Sequence, residues 1–136
     1  MKKILLYLVI WSITGGLASA QSTNTVQGTW ELVSYDYGHG KETMAPKRRQ
    51  IKLITADHYI WAEYDTSTGE LQSSSGGSYK FQSPSWVEHV EFADKENMWM
   101  AWKDQQLKIV VDGDRMELSG VLSVGAKISE TWKRVH

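Results

Sequence analysis

Beyond residue 20 the chain is a series of short runs in which apolar and polar side chains alternate, broken by glycine, aspartate and serine. No segment sustains a helical period, and alternation of period two marks half-buried strands. Residues 30–36 form the first run, with Trp30, Leu32 and Ser34 on one face, and residues 38–46 read as a loop. The run 50–55 sets Ile51, Leu53 and Thr55 on one face, and Ala56-Asp57 turns the chain into 58–64. Asp65-Thr66-Ser67-Thr68-Gly69 is a hairpin turn of the aspartate-to-glycine kind. A fourth run extends from near Glu70 to Phe81, and its paired Gly76-Gly77 predict a bulge or sharp bend. Gln82-Ser83-Pro84-Ser85 leads into 86–93, and 107–111, Asp112-Gly113-Asp114 and 115–119 make the clearest hairpin. A last run, 128–135, follows a turn around Gly125. The series predicts an all-β fold, a single eight-stranded up-and-down antiparallel barrel, because closure removes exposed edges. A two-sheet sandwich is the alternative. Neither an internal repeat nor a low-complexity linker divides the chain.

The first 20 residues differ in kind. Lys2 and Lys3 precede an apolar stretch from Ile4 to Leu17, and Ala18-Ser19-Ala20 is a small-residue cleavage site. That pattern predicts a signal peptide over 1–20, a domain over 21–136, and a periplasmic or secreted product. The apolar stretch is shorter than the ~20 residues needed to span a bilayer, so no integral membrane segment is expected after cleavage. The chain has no cysteine, which excludes a lipoprotein anchor and any disulfide staple. Stability must come from burial, and six tryptophans of the domain (Trp30, Trp61, Trp86, Trp99, Trp102, Trp132) supply the bulk. Loss of Lys2 and Lys3 takes the net charge from −1 to −3, which gives no electrostatic footprint for nucleic acid. Lys47-Arg48-Arg49 is the basic run, expected in a solvated turn.

Splitting each run by alternation and turning its apolar face inward carries charge into the barrel. Trp86, Glu88, Val90 and Phe92 share one face, with Val87, His89 and Glu91 opposite. Pairing across the 82–85 turn places Tyr79 opposite Glu88, where a phenol can hydrogen-bond a buried carboxylate. In the last run Ile128, Glu130, Trp132 and Arg134 lie together. Antiparallel pairing with the first strand then matches Trp30 with Arg134, Leu32 with Trp132 and Ser34 with Glu130. Glu88 and Glu130 either sit wet at the barrel mouth or orient a polar group on a bound molecule.

Gly28-Thr29-Trp30-Glu31-Leu32-Val33-Ser34 resembles the first strand of lipocalin-like proteins exported by Bacteroidetes. Asp57-His58-Tyr59-Ile60-Trp61, Gly76-Gly77-Ser78-Tyr79 and Glu130-Thr131-Trp132-Lys133-Arg134-Val135 resemble that group too. The likeness spans nearly all of the domain. It implies a lipocalin-like (calycin-like) barrel enclosing a cavity, closed by a latch of Gly28, Trp30 and Arg134, and it implies no reaction. Asn97-Met98-Trp99-Met100-Ala101-Trp102 departs from the group in being unusually aromatic, and is read as core or mouth lining rather than an exposed patch.

Chemistry-bearing motifs are sparse. His39, His58, His89 and His136 show no metal-ligand spacing, and no serine elbow, P-loop or dinucleotide fingerprint occurs. No cofactor, metal or catalytic residue is therefore expected. The leading expectation is a binding module that holds a small hydrophobic or amphipathic ligand among Trp61, Tyr79, Trp86 and Trp132, oriented by Glu88 and Glu130. A filled barrel acting through its surface comes second. An enzyme using Glu88 or Glu130 as general base and Tyr79 as proton donor comes third.

Overall fold

The computed structural model describes residues 25–136. The expected leader, residues 1–20, lies outside them. Among the described residues nine strands form one antiparallel sheet: β1 (Gly28–Asp36), β2 (Glu42–Thr43), β3 (Arg48–Ile54), β4 (His58–Asp65), β5 (Leu71–Gln82), β6 (Ser85–Ala93), β7 (Asp104–Asp112), β8 (Arg115–Val121) and β9 (Lys127–Val135). Each of β3 to β9 pairs with its sequence neighbour, β1 pairs with β3, and β1 and β9 close the circle. The eight long strands make an up-and-down barrel, and β2 is an extra strand held only by β1, inside the segment expected to be a loop.

Bulges decide which side chains face inward. In β6, Val90 pairs with Gly77 and Phe92 with Gly76, leaving Glu91 as the extra residue. The alternation therefore slips one place, and Phe92, expected inside, lies outside at 47% exposure. Its ring covers Gly76, where a Cβ would come within 2.5 Å of Phe92 Cζ. The glycine pair thus permits a bulge and an aromatic cap on the outer wall. In β1 the register shifts between Leu32 and Ser34. Trp30 faces Arg134 and Leu32 faces Trp132 as expected, but Ser34 meets Thr131, and Glu130 is opposite Tyr35.

Strand β3 inverts the sequence reading. Gln50, Lys52 and Ile54 are buried, whereas Leu53 is exposed. Directly paired residues share a face of the sheet, and Trp30 pairs with Lys52. With Trp30 committed to the core, Lys52 is drawn in behind it. The apolar Ile51 and Leu53 go outward, and Leu53 pairs there with Ile60. Arg48 and Arg49, expected in a solvated turn, instead open this strand and pair with Glu63 and Glu31 respectively.

One end of the barrel is packed solid. Trp30, Trp86, Ile109 and Met116 are fully buried there, joined by Tyr59 and Val26. Residues 25–27 lie across this end, since the Trp30 indole donates to the Val26 carbonyl at 2.8 Å. Arg134 stacks on Trp30 with its guanidinium carbon 4.1 Å from the ring centroid. It also donates to the carbonyls of Gln27 (2.9 Å) and Thr25 (2.8 Å). Gly28, at φ +136°, leaves the space: a Cβ would stand 2.7 Å from the arginine Nη1.

Candidate functional site: the open half of the barrel

The other end is not filled. A cavity of about 580 Å³ occupies it, within the size range of small-molecule sites. Trp61 and Trp132 stand on its walls, with Leu107, Leu118 and Ile128 from β7 to β9. Trp99 and Met100 close part of the mouth from a single 3-10 turn, Met98–Met100. A side pocket of about 270 Å³ shares Tyr37, Arg48, Gln50 and Glu63 with the cavity. It lies where the wall splays, because β1 and β3 pair only from Gly28 to Glu31 and β2 takes over beyond.

Four of the six residues expected around a ligand line this space: Trp61, Glu88, Glu130 and Trp132. Trp86 and Tyr79 do not. Trp86 has no exposed surface, and Tyr79 stacks on it with ring centroids 4.0 Å apart. The expected Tyr79–Glu88 hydrogen bond is replaced as well. The two residues are paired on the sheet, but the Tyr79 hydroxyl donates to the Thr55 carbonyl at 2.6 Å. These two aromatics are part of the packed end.

The 97–102 segment divides. Trp99 and Met100 are mouth lining, whereas Met98 and Trp102 face solvent, Trp102 at 72% exposure with φ +64°. The turn is pinned by Asp94, whose Oδ2 accepts from the Ser73 hydroxyl (2.9 Å), the Ser74 amide (2.8 Å) and the Asn97 side chain (2.7 Å). Burial alone would raise the Asp94 pKa, but these donors and the Glu96 amide outweigh it and hold the carboxyl at about 2.

Two carboxylates enter the cavity wall by the same local device. Glu88 accepts from the indole N–H of Trp86 at 2.9 Å, and Glu130 from that of Trp132 at 2.9 Å. In each case the partner is two residues away on the same strand, hence on the same face. Their other neighbours differ. Glu88 also accepts from Lys52 Nζ at 3.2 Å, a pair in which both side chains are almost wholly buried. The ammonium lies 5.2 Å from the Trp132 ring centroid and 5.7 Å from that of Tyr59. Burial, with the Glu88 charge close by, pushes the Tyr59 phenol well up.

Glu130 has no such cation. Its second oxygen accepts from the Tyr37 hydroxyl at 2.8 Å, and among the described residues it forms no ion pair. Burial, then the Glu130 charge, push the Tyr37 phenol well up, so it stays a neutral donor. Gln105, fully buried beside the cavity, is satisfied at both ends of its amide by Ser123, at 3.0 and 2.8 Å.

Sequence reasoning missed Lys52, Tyr37, Gln50 and Gln105. The signal for Lys52 was present in the pairing of β1 with β3, which carries it to the face of Trp30. No comparable signal existed for Tyr37, which lies just beyond β1 and meets Glu130 only through tertiary folding. Among the described residues no group of histidine, aspartate and glutamate is arranged to hold a metal ion, and no helix is long and apolar enough to cross a membrane.

Solved structures with the same fold are a lipocalin-like protein from Bacteroides uniformis (14% identity, TM-score 0.59, covering 80% of this chain and 97% of that one) and an uncharacterized protein from Bacteroides eggerthii (14%, 0.56, 80% and 98%). A biogenic amine-binding protein is similar at 13% identity and TM-score 0.54, over 82% of this chain and 65% of that one. No curated protein matches the chain in sequence. The barrel is thus lipocalin-like in architecture. A family model matches residues 25–136, and the chain belongs to that family, the domain of unknown function DUF4488.

Proposed function

We propose that the protein binds a small, partly apolar ligand in the open half of its barrel. The observation that carries this reading is the division of the interior. One end is filled by tryptophans, yet about 580 Å³ at the other end is left open beneath Trp61, Trp99 and Trp132. A barrel built only for stability gains from filling such a space, because side chains packed there bury more apolar surface. The wall also carries satisfied polar groups, Glu130 and Gln105, as sites that orient a ligand do. That a similar barrel belongs to a biogenic amine-binding protein is compatible with ligand binding. In the proposal the chain is exported, loses residues 1–20, and acts in the periplasm or outside the cell.

Native mass spectrometry of the chain expressed with export and purified gently tests both parts. The expected result is a polypeptide beginning at Gln21 and carrying an added mass that disappears on denaturation. A chain retaining Met1 would contradict export. Failure of the protein to take up any neutral or charged aromatic probe would contradict binding.

A further inference from the structure

Resting on the reading of the cavity as a binding site, we infer that its ligand is a cation with an apolar body, and that Glu130 is the carboxylate receiving the positive group. Among the described residues, four carboxylates line the cavity (Glu63, Glu88, Glu96 and Glu130) against two cations, Arg48 and Lys52. Each of these cations faces a carboxylate. Lys52 is committed to Glu88 in a buried pair, and Arg48 to Glu63. Glu96 is exposed at the rim. Glu130 is the one left buried, at 8% exposure, without a positive partner among the described residues.

The carboxylate has room to take one. An ionised carboxylate offers about four lone-pair sites. Glu130 uses one on each oxygen, for Tyr37 and Trp132, and both donors are neutral. They lower the cost of burying the charge without cancelling it. An ammonium entering the cavity would supply the missing charge at short range to a carboxylate that is itself nearly buried, while its apolar body lies against Trp61, Trp99 and Ile128. Aromatic faces around that position favour a cation further. An anionic ligand meets the opposite situation. Each cation already faces a carboxylate, Lys52 in a buried pair and Arg48 in a half-exposed one, and Glu130 repels the anion.

Three probes that share one body separate this inference from the reading beneath it. Naphthylethylamine, naphthylethanol and naphthylpropionate present an ammonium, a hydroxyl and a carboxylate at neutral pH. Calorimetric titration of the wild-type chain is expected to give the order amine, alcohol, carboxylate. The amine should exceed the alcohol by roughly ten-fold or more, the scale of a charged hydrogen bond away from bulk water. Glu130→Gln should collapse that ratio to near unity, whereas Glu70→Gln, an exposed charge outside the cavity, should leave it as in wild type. Equal affinities, or a carboxylate that binds best, would overturn the cation while leaving the cavity a binding site. Silence from all three probes would overturn both. The wild-type order decides the matter even where Glu130→Gln does not fold.

Discussion

Glu88 and Glu130 stand in matching places with different surroundings. Each points inward from a strand, each accepts from the indole of a tryptophan two residues away, and each is nearly buried. Around Glu88 the protein supplies its own ammonium, Lys52, and the packed floor of Trp86 and Tyr79. Around Glu130 it supplies a phenol and empty space. A buried carboxylate closed by a cation belongs to the architecture. The same group held by neutral donors beside a cavity is available to something else. The shared indole bond therefore does not separate the two carboxylates; the second partner, Lys52 for Glu88 and Tyr37 for Glu130, does.

The comparison breaks most visibly at the floor. Trp86→Ala should destabilise the fold by about 5 kcal/mol, near the upper end for a buried aromatic, because it also removes the Tyr79 stack and a donor to Glu88. Trp61→Ala, on the open wall, should cost about 1 kcal/mol or less and act mainly on ligand affinity. Chemical denaturation of the two variants checks the contrast. Lys52→Met should come next, at about 3–4 kcal/mol, since it leaves Glu88 buried without its counter-ion. Adding Glu88→Gln to that variant should recover most of the loss, because the glutamine still accepts from Trp86.

On the other side the effects shrink. Tyr37→Phe removes one neutral hydrogen bond from Glu130 and should lower stability by about 1 kcal/mol. The smallest effect concerns the mouth. The Asp94 carboxyl sits at about 2 in the fold against an ordinary 3.8, so its stabilisation is fully present above the ordinary value and is lost as pH falls toward 2. Asp94→Asn should flatten acid unfolding over that interval by less than about 1 kcal/mol after screening by solvent. It should also loosen the turn that carries Trp99, visible as a change in indole emission.

Much of the architecture was legible in the sequence because alternation and turn chemistry are local. The 82–85 hairpin put Tyr79 opposite Glu88, and the ends of the chain put Trp30 opposite Arg134, as the sheet shows. The errors came where one residue changes the phase. The extra residue at Glu91 turned Phe92 out, and the shift between Leu32 and Ser34 moved Glu130 from Ser34 to Tyr35. Strand β3 failed for a different reason. Its more apolar face is the outer one, so hydrophobicity points the wrong way and only pairing with Trp30 reveals Lys52. The two carboxylates were identified as inward-facing, but what separates them, Lys52 and Tyr37, arrives from distant parts of the chain.

If the open half of the barrel is a binding site, it takes up a neutral fluorophore. Phenylnaphthylamine titrated into the wild-type chain should bind at a single saturable site with enhanced, blue-shifted emission. Leu122→Trp, which puts an indole into the cavity from its mouth, should weaken that binding by about ten-fold or more, an energy of about 1.4 kcal/mol. Absence of saturable binding, or equal binding by the filled variant, would show that the open half is not a binding site.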